Sequence, residues 1–232
     1  MVDATVAPAP IVLADTAVHL LDTAERLFAA SSIDRVSLRE IVRASGQGNL
    51  SAAHYHFGSR EALIGALLGR RIRAINVIRH QRLDELVASG RDKSAYGVAY
   101  ASVMVLCDIV KTMAWGPDYV RVVAQALFTN NPDVWAYLDP ETMSGHIRVR
   151  GMLRALSPDL PARVFKDRLW SLNNLATFGI ARWVQSHGPV TTANSRRYSA
   201  MSRNLASFLS AGMAAPHGQP LDDASNEQDA TP

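Results

Sequence analysis

Between Ser37 and Arg60 the chain gathers side chains that suit an oxygen-rich partner: Ser37, Arg39, Arg43, Ser51, His54, Tyr55, His56 and Arg60. Hydroxyl, imidazole and guanidinium groups donate hydrogen bonds to phosphate oxygens, and the arginine fork matches a base edge or a phosphate with two parallel bonds. Arg39 and Arg43 stand four residues apart, so on a helix they share one side. The chemistry on offer is recognition of a polyanion, not bond breaking.

Such groups need rigid elements behind them. Ser37 and Glu40, three apart, make the pattern of a capping box and start a helix whose core side carries Leu38, Ile41, Val42 and Ser45. Gly46-Gln47-Gly48-Asn49 then supplies two glycines that tolerate positive φ and an asparagine suited to cap a second helix. In that helix Ala53 and Phe57 plug into the first, which turns Leu50, Ser51 and His54 outward and leaves Ala52, Tyr55 and His56 flanking them. Ser59-Arg60-Glu61 caps a third helix, with an acid in the first turn where the helix dipole favours one. Two short helices around a glycine turn make a helix-turn-helix, the arrangement that lays a helix in the DNA major groove.

These residues resemble the TetR family of transcriptional regulators. The likeness is carried by Ser37-Leu38-Arg39-Glu40-Ile41, the glycine turn and above all Tyr55-His56-Phe57-Gly58-Ser59-Arg60-Glu61-Ala62-Leu63, which is close to the family's aromatic-His-Phe-x-Ser-Lys/Arg-Glu-x-Leu signature. With the helix expected from about Thr16 to Ala30, it covers roughly the first third of the chain. The resemblance implies a homodimer that sets one recognition helix per subunit in successive major grooves and responds to a ligand held by the C-terminal helices. Carried over by position, it implies base contacts from Arg39, Leu50, Ser51 and His54, and phosphate contacts from Ser37, the Ala52 backbone, Tyr55, His56 and Arg60. The chain departs from the common pattern at Ser51, Ala52, Ala53 and His54, where many members carry a small residue, Thr, Leu and Tyr. Its turn is also one residue longer.

With 232 residues and a 48% hydrophobic composition, the chain can bury a substantial core as one large domain or two small ones. Net charge is only +3, but nine arginines lie between Arg35 and Arg82 against Glu40 and Glu61 alone, so the positive field belongs to the N-terminal third. Arg39, Arg43 and Arg60 are expected to touch DNA, whereas those from Arg70 to Arg82 read as a solvated helix face. Cys107, the single cysteine, lies in an apolar run and cannot form an internal disulfide, which fits a reducing cytoplasm. Residues 1–14 lack the positive start of a signal peptide, and no apolar run approaches the roughly 18 to 20 residues of a membrane span.

Helical spacing dominates, so the expected fold is all-α. Its parts are a mobile tail 1–14, a three-helix DNA-binding domain 15–62, a helical effector-binding and dimerisation domain 63–213, and a disordered tail 214–232. The first helix presents Ala17, Leu20, Leu21, Ala24, Leu27 and Phe28 on one side. A long helix is predicted from Arg60 to about Ser89, ending near Gly90, followed by helices over 94–114, 117–129, 134–138, 140–156, 160–186 and 192–212. The resemblance implies that the last two pair with their mates in a dimer. Trp170, Leu172, Leu175, Phe178 and Trp183 on one, and Tyr198, Met201, Leu205 and Phe208 on the other, would serve that face.

A ligand site among the middle helices has flexible or aromatic candidates in Met104, Met113, Trp115, Tyr119, Phe128, Trp135 and Met143. Asp108, Asn173 and Asn174 interrupt apolar runs, where burial without a partner is costly. Such a lining suits a hydrophobic or amphipathic small molecule. Enzyme signals are lacking: the turn has no third glycine or preceding strand for a dinucleotide fingerprint, and there is no phosphate loop, G-x-S-x-G elbow or His-Glu-x-x-His pair. No catalytic residue, metal or cofactor is expected. The expected function is a homodimeric, ligand-responsive transcriptional regulator, a repressor released from a palindromic operator by a small effector. The alternative is a helical small-molecule-binding or scaffold protein without specific DNA recognition.

Overall fold

The computed structural model describes residues 15–47, 50–128 and 133–217, and every regular element among them is helical. Helices α1 (Asp15–Ala30), α2 (Leu38–Ala44) and α3 (Leu50–Phe57) form an N-terminal unit. From it α4 (Arg60–Ala88) leads into α5 (Ala95–Thr112), α6 (Gly116–Phe128), the single turn α7 (Asp133–Ala136), α8 (Ser144–Ala155), α9 (Ala162–His187) and α10 (Ser195–Ala214). The expected tail 1–14, residues 218–232 of the expected tail 214–232, and Gly48 and Asn49 of the turn lie outside the described residues.

Local hydrogen bonding sets the helix boundaries. Ser37 and Glu40 close a reciprocal capping box ahead of α2. The Ser59 and Ser94 hydroxyls accept the Ala62 and Gly97 N–H groups at 3.0 and 3.3 Å at the starts of α4 and α5. α8 begins at Ser144 and not at Pro140 as predicted, because Asp139 Oδ1 accepts the Thr142 N–H at 2.6 Å and holds the intervening residues as a turn. Past α10 the chain stays attached, since Arg168 donates to the carbonyls of Ala215 and Pro216 at 2.5 and 3.1 Å.

Two apolar clusters hold the fold together. The first joins Phe28, Ile41, Ala53 and Leu63, continues along α4 to Ile75, and crosses to Ile109 and Val122. The second gathers Leu83, Val98, Leu172, Ile180, Trp183 and Tyr198. Each such side chain contributes about 1.5–3 kcal/mol on burial. The N-terminal unit therefore shares its core with α4, α5 and α6 and moves with them.

Two expectations are corrected here. Leu172, Trp183 and Tyr198, assigned from sequence to a dimer face, are core residues, whereas Trp170, Leu175 and Phe208 remain exposed. α5 is long and apolar enough to cross a membrane by length and composition, although half of it is buried inside the bundle.

Candidate nucleic-acid interface and internal cavity

The surface built by α2 and α3 follows from two caps and one buried alanine. Glu40 Oε2 accepts the Ser37 N–H at 2.7 Å and its hydroxyl at 2.8 Å, and these bonds hold the Glu40 carboxyl below its ordinary range. With α2 fixed, Ile41 and Val42 face the core, and Arg39 and Arg43 project into solvent. Gly46 takes φ +70° to turn the chain, and Gly58 takes φ +71° between α3 and α4, a conformation that disfavours a side chain. Ala53 is fully buried, which orients the rest of α3.

Ser51, His54 and Tyr55 share the outer face of α3 at helical spacing. Tyr55 is 86% exposed, so its ring has no part in the core and is available to a partner. His56 packs edge-on against it, with ring centres 5.3 Å apart. His54 Nδ1 lies 3.0 Å from the Gly58 carbonyl, which can only accept, so Nδ1 donates there and Nε2 is the ring nitrogen left for a partner. Leu50 was expected to face bases, but its side chain packs partly against the N-terminal core. Ala52 lies on α3, and the position of its side chain is outside the described set.

Arg60 does not stand free for a phosphate. Its Nε donates to the Val36 carbonyl at 3.0 Å, one Nη donates to Ile33, and its guanidinium lies 5.8 Å from the Phe28 ring centre. The group anchors the turn between α1 and α2. The arginines read as a solvated face on α4 are also engaged: Arg70 and Arg71 pair with Asp22, and Arg71 also holds the buried Glu25 and stacks on Trp115 at 4.6 Å. Burial raises the Glu25 pKa despite that partner. The cations left outward on this unit are Arg26 on α1 and Arg35, Arg39 and Arg43 around α2, which have no ion-pair partner among the described residues.

Behind α4, five helices enclose a cavity of about 70 Å³. Its apolar wall comes from Val103, Leu106, Val120, Val123, Leu172 and Ala176. Its polar groups are Arg79, Ser102, Tyr119, His146, Asn173 and Thr177. Burial pushes the Tyr119 hydroxyl up to about 12.

Tyr119 and Asn173 are the expected ligand residues on this lining. Asp108 lies at the surface in an ion pair with Arg82 at 3.1 Å, and Asn174 Nδ2 donates to the Trp170 carbonyl of its own helix at 2.9 Å. Phe128 is exposed against Phe178, Met104 packs on the C-terminal core, and Met113, Trp115 and Met143 pack on the N-terminal one. Periodicity could have found Arg79. It occupies the buried stripe of α4 that runs through Leu68, Ile72, Ile75, Leu83 and Leu86.

Residues 20–67 match the family model of bacterial regulatory proteins, tetR family. The N-terminal unit is a TetR-family domain. The whole fold is similar to the fatty acid degradation regulator FadR from Bacillus halodurans, with TM-score 0.60 and 12% identity over 90% of this chain and 100% of that one. It is also similar to FadR from Bacillus subtilis, crystallised in complex with stearoyl-CoA, with TM-score 0.58 and 14% identity over 84% of this chain and 98% of that one. At such identities the likeness is one of fold. No curated protein sequence matches the chain.

With its TetR-family domain, the protein is a DNA-binding transcriptional regulator. The domain is fastened to the helices around the cavity by a second clamp. Gln125 of α6 accepts the Ile33 N–H at 2.7 Å and donates to the Phe28 carbonyl at 3.1 Å. Gln125 and Arg60 thus grip the same turn from α6 and from α4, and both helices line the cavity.

Proposed function

We propose that the protein is a homodimeric repressor that holds a palindromic operator and leaves it when a small amphipathic effector enters the helical half. The observation that carries this reading is the continuity of α4 and α6, which touch the cavity at Arg79 and Tyr119 and grip the TetR-family domain through Arg60 and Gln125. A ligand that shifts these helices changes the spacing of two recognition helices, which must match the roughly 34–36 Å repeat of adjacent major grooves. That Bacillus subtilis FadR, similar in fold, is found in complex with stearoyl-CoA supports a ligand-responsive role.

In this reading Arg39, Ser51 and His54 meet base edges. Ser37, the Ala52 backbone, Tyr55 and His56 meet phosphates, and Arg43 adds charge. Leu50 and Arg60 serve the fold instead. Exposed Trp170 and Leu175 on α9 and Phe208 on α10 supply an apolar face for a two-fold mate. Selection from a random double-stranded DNA pool at about physiological salt tests the reading, because non-specific attraction is weak there. Recovery of an inverted repeat is expected. A folded dimer that recovers no motif would instead favour a ligand-binding or scaffold role without specific DNA recognition.

A further inference from the structure

Arg79 is buried in the middle of α4, only 6% exposed, and no carboxylate lies within ion-pair distance among the described residues. Of the nearby acids, Asp22 and Glu25 pair with Arg70 and Arg71, Asp84 with Arg148 and Asp108 with Arg82, while Asp118 of α6 and Asp167 of α9 make no ion pair with Arg79. A charge removed from water without a counter-charge is strongly disfavoured. The protein meets only part of its hydrogen-bonding need. Arg79 Nη1 donates to Asn76 Oδ1 at 2.9 Å and lies a long 3.5 Å from His146 Nδ1, while Nε has no partner.

The surroundings fix this group in place and keep its charge unopposed. Asn76 is itself anchored by donating to the Thr142 carbonyl at 2.7 Å. Gly145 of α8 makes the room, since a Cβ there would collide with Asn76 Oδ1 and come within 2.9 Å of Arg79 Cδ. Burial and the neighbouring Arg79 charge push His146 down to about 3, so the imidazole is neutral and adds no second cation. Nε is left without an acceptor from the protein, and a guanidinium that lacks acceptors suits the two oxygens of a carboxylate.

We infer that this cavity is a monocarboxylate site, in which the carboxylate of a small organic acid pairs with Arg79 and its short hydrocarbon part lies among Val103, Leu106, Val120, Val123 and Leu172. The volume of about 70 Å³ is roughly half that of a cavity of about 150 Å³ that takes benzene, room for a carboxylate and two or three carbons. A single cation in an apolar chamber matches one negative charge and leaves the second charge of a phosphate unpaired. This inference names the effector class for the regulator proposed above and rests on that reading for its biological role.

The test is calorimetric titration of the full-length protein with acetate, propanoate and butanoate, each against its primary amide, with inorganic phosphate as a further arm. At least one carboxylate is expected to bind ten times more tightly than its amide, and Arg79→Met is expected to lose that binding at least tenfold. Should Arg79→Met fail to fold, Ala176→Leu fills the chamber while leaving the charge, and is expected to abolish binding. Equal binding of acid and amide, absence of binding by all three acids, tighter binding of phosphate, or undiminished binding by both variants overturns the inference. Repeating the titration on the operator complex separates the two readings. Carboxylate binding without DNA release leaves the site standing and removes its effector role, whereas DNA binding without carboxylate binding removes the site alone.

Discussion

Arg60→Ala distinguishes a residue that touches DNA from one that builds the domain. By its place in the signature, Arg60 is expected to meet a phosphate; in the structure it donates to Val36 and Ile33 and covers the Phe28 ring. Charge-assisted hydrogen bonds contribute roughly 1.5–3 kcal/mol each and an exposed cation–π contact about 0.5–1 kcal/mol. Because the side chain is 24% exposed, solvent replaces part of this, and the substitution is expected to cost roughly 2–4 kcal/mol of stability. In a chain of this size about 1 kcal/mol moves Tm by about 2–4 °C, so a fall of roughly 5–15 °C follows.

The DNA signature should differ from that of a lost phosphate contact. Each phosphate neutralised adds about 0.9 to the slope of log affinity against log salt. Arg60→Ala should weaken affinity through a disordered α1–α2 turn and leave the slope unchanged. Arg43→Ala removes an exposed cation instead, and should keep Tm and lower the slope by about 0.9. Thermal melts and operator titrations over a range of salt read both quantities. If Arg60→Ala melted like the parent and flattened the salt dependence, the guanidinium would be a DNA contact and its bonds to residues 33 and 36 incidental.

His54→Ala should relax base preference at one or two positions per half-site by less than the roughly 1–3 kcal/mol of a bidentate contact, because His54, with Nδ1 engaged by Gly58, offers a single ring nitrogen, Nε2; a binding profile over a randomised operator identical to the parent's would place His54 off the bases. Gln125→Ala leaves the Ile33 N–H and Phe28 carbonyl without their partner and should lower stability by about 1–3 kcal/mol, read in urea melts. The same variant should bind operator while responding less to effector, and an unaltered response would sever α6 from the coupling. For pH, His146 has its folded pKa lowered to about 3 from 6.5 by burial and then by Arg79. The unfolded chain therefore takes up a proton that the folded one refuses, and stability should fall as pH drops from about 6.5 by up to about 1.4 kcal/mol per pH unit. His146→Asn should remove that component, and urea melts of both proteins down to about pH 4.5 with parallel trends would show that His146 is not protected.

The elements legible in the sequence are those with a chemical mark at their ends. Ser37 with Glu40, Ser59 and Ser94 start helices where their hydroxyls accept backbone N–H groups, and Gly90 ends α4 at φ +68°. Pro140 misled because a proline is at home in the first turn of a helix, while Asp139 folds the same residues into a turn by capping Thr142. On α9 and α10 both sides are apolar, so spacing alone could not tell the side that faces the monomer core from the side left open. Tyr198 shows what decides it, since its hydroxyl donates to the Cys107 carbonyl at 2.9 Å across the core.

Charge was the harder quantity to read, because a count of arginines says nothing of where their partners lie. Arg70 and Arg71 meet acids of α1 that are 46 to 49 residues distant in sequence, and Arg60 meets carbonyls 24 and 27 residues away. Three of the cations expected to form a field are thus neutralised or internalised by tertiary contacts. Arg79 is a different case, since its address was legible: four residues after Ile75 and four before Leu83, both buried, a cation must lie on the inward stripe of α4. Inside, it meets a carbonyl oxygen of Asn76, a neutral imidazole and a chamber, but no acid. A methionine at that position would fill the same stripe without desolvating a charge, so packing does not account for the guanidinium, and the carboxylate inferred above would supply its counter-charge.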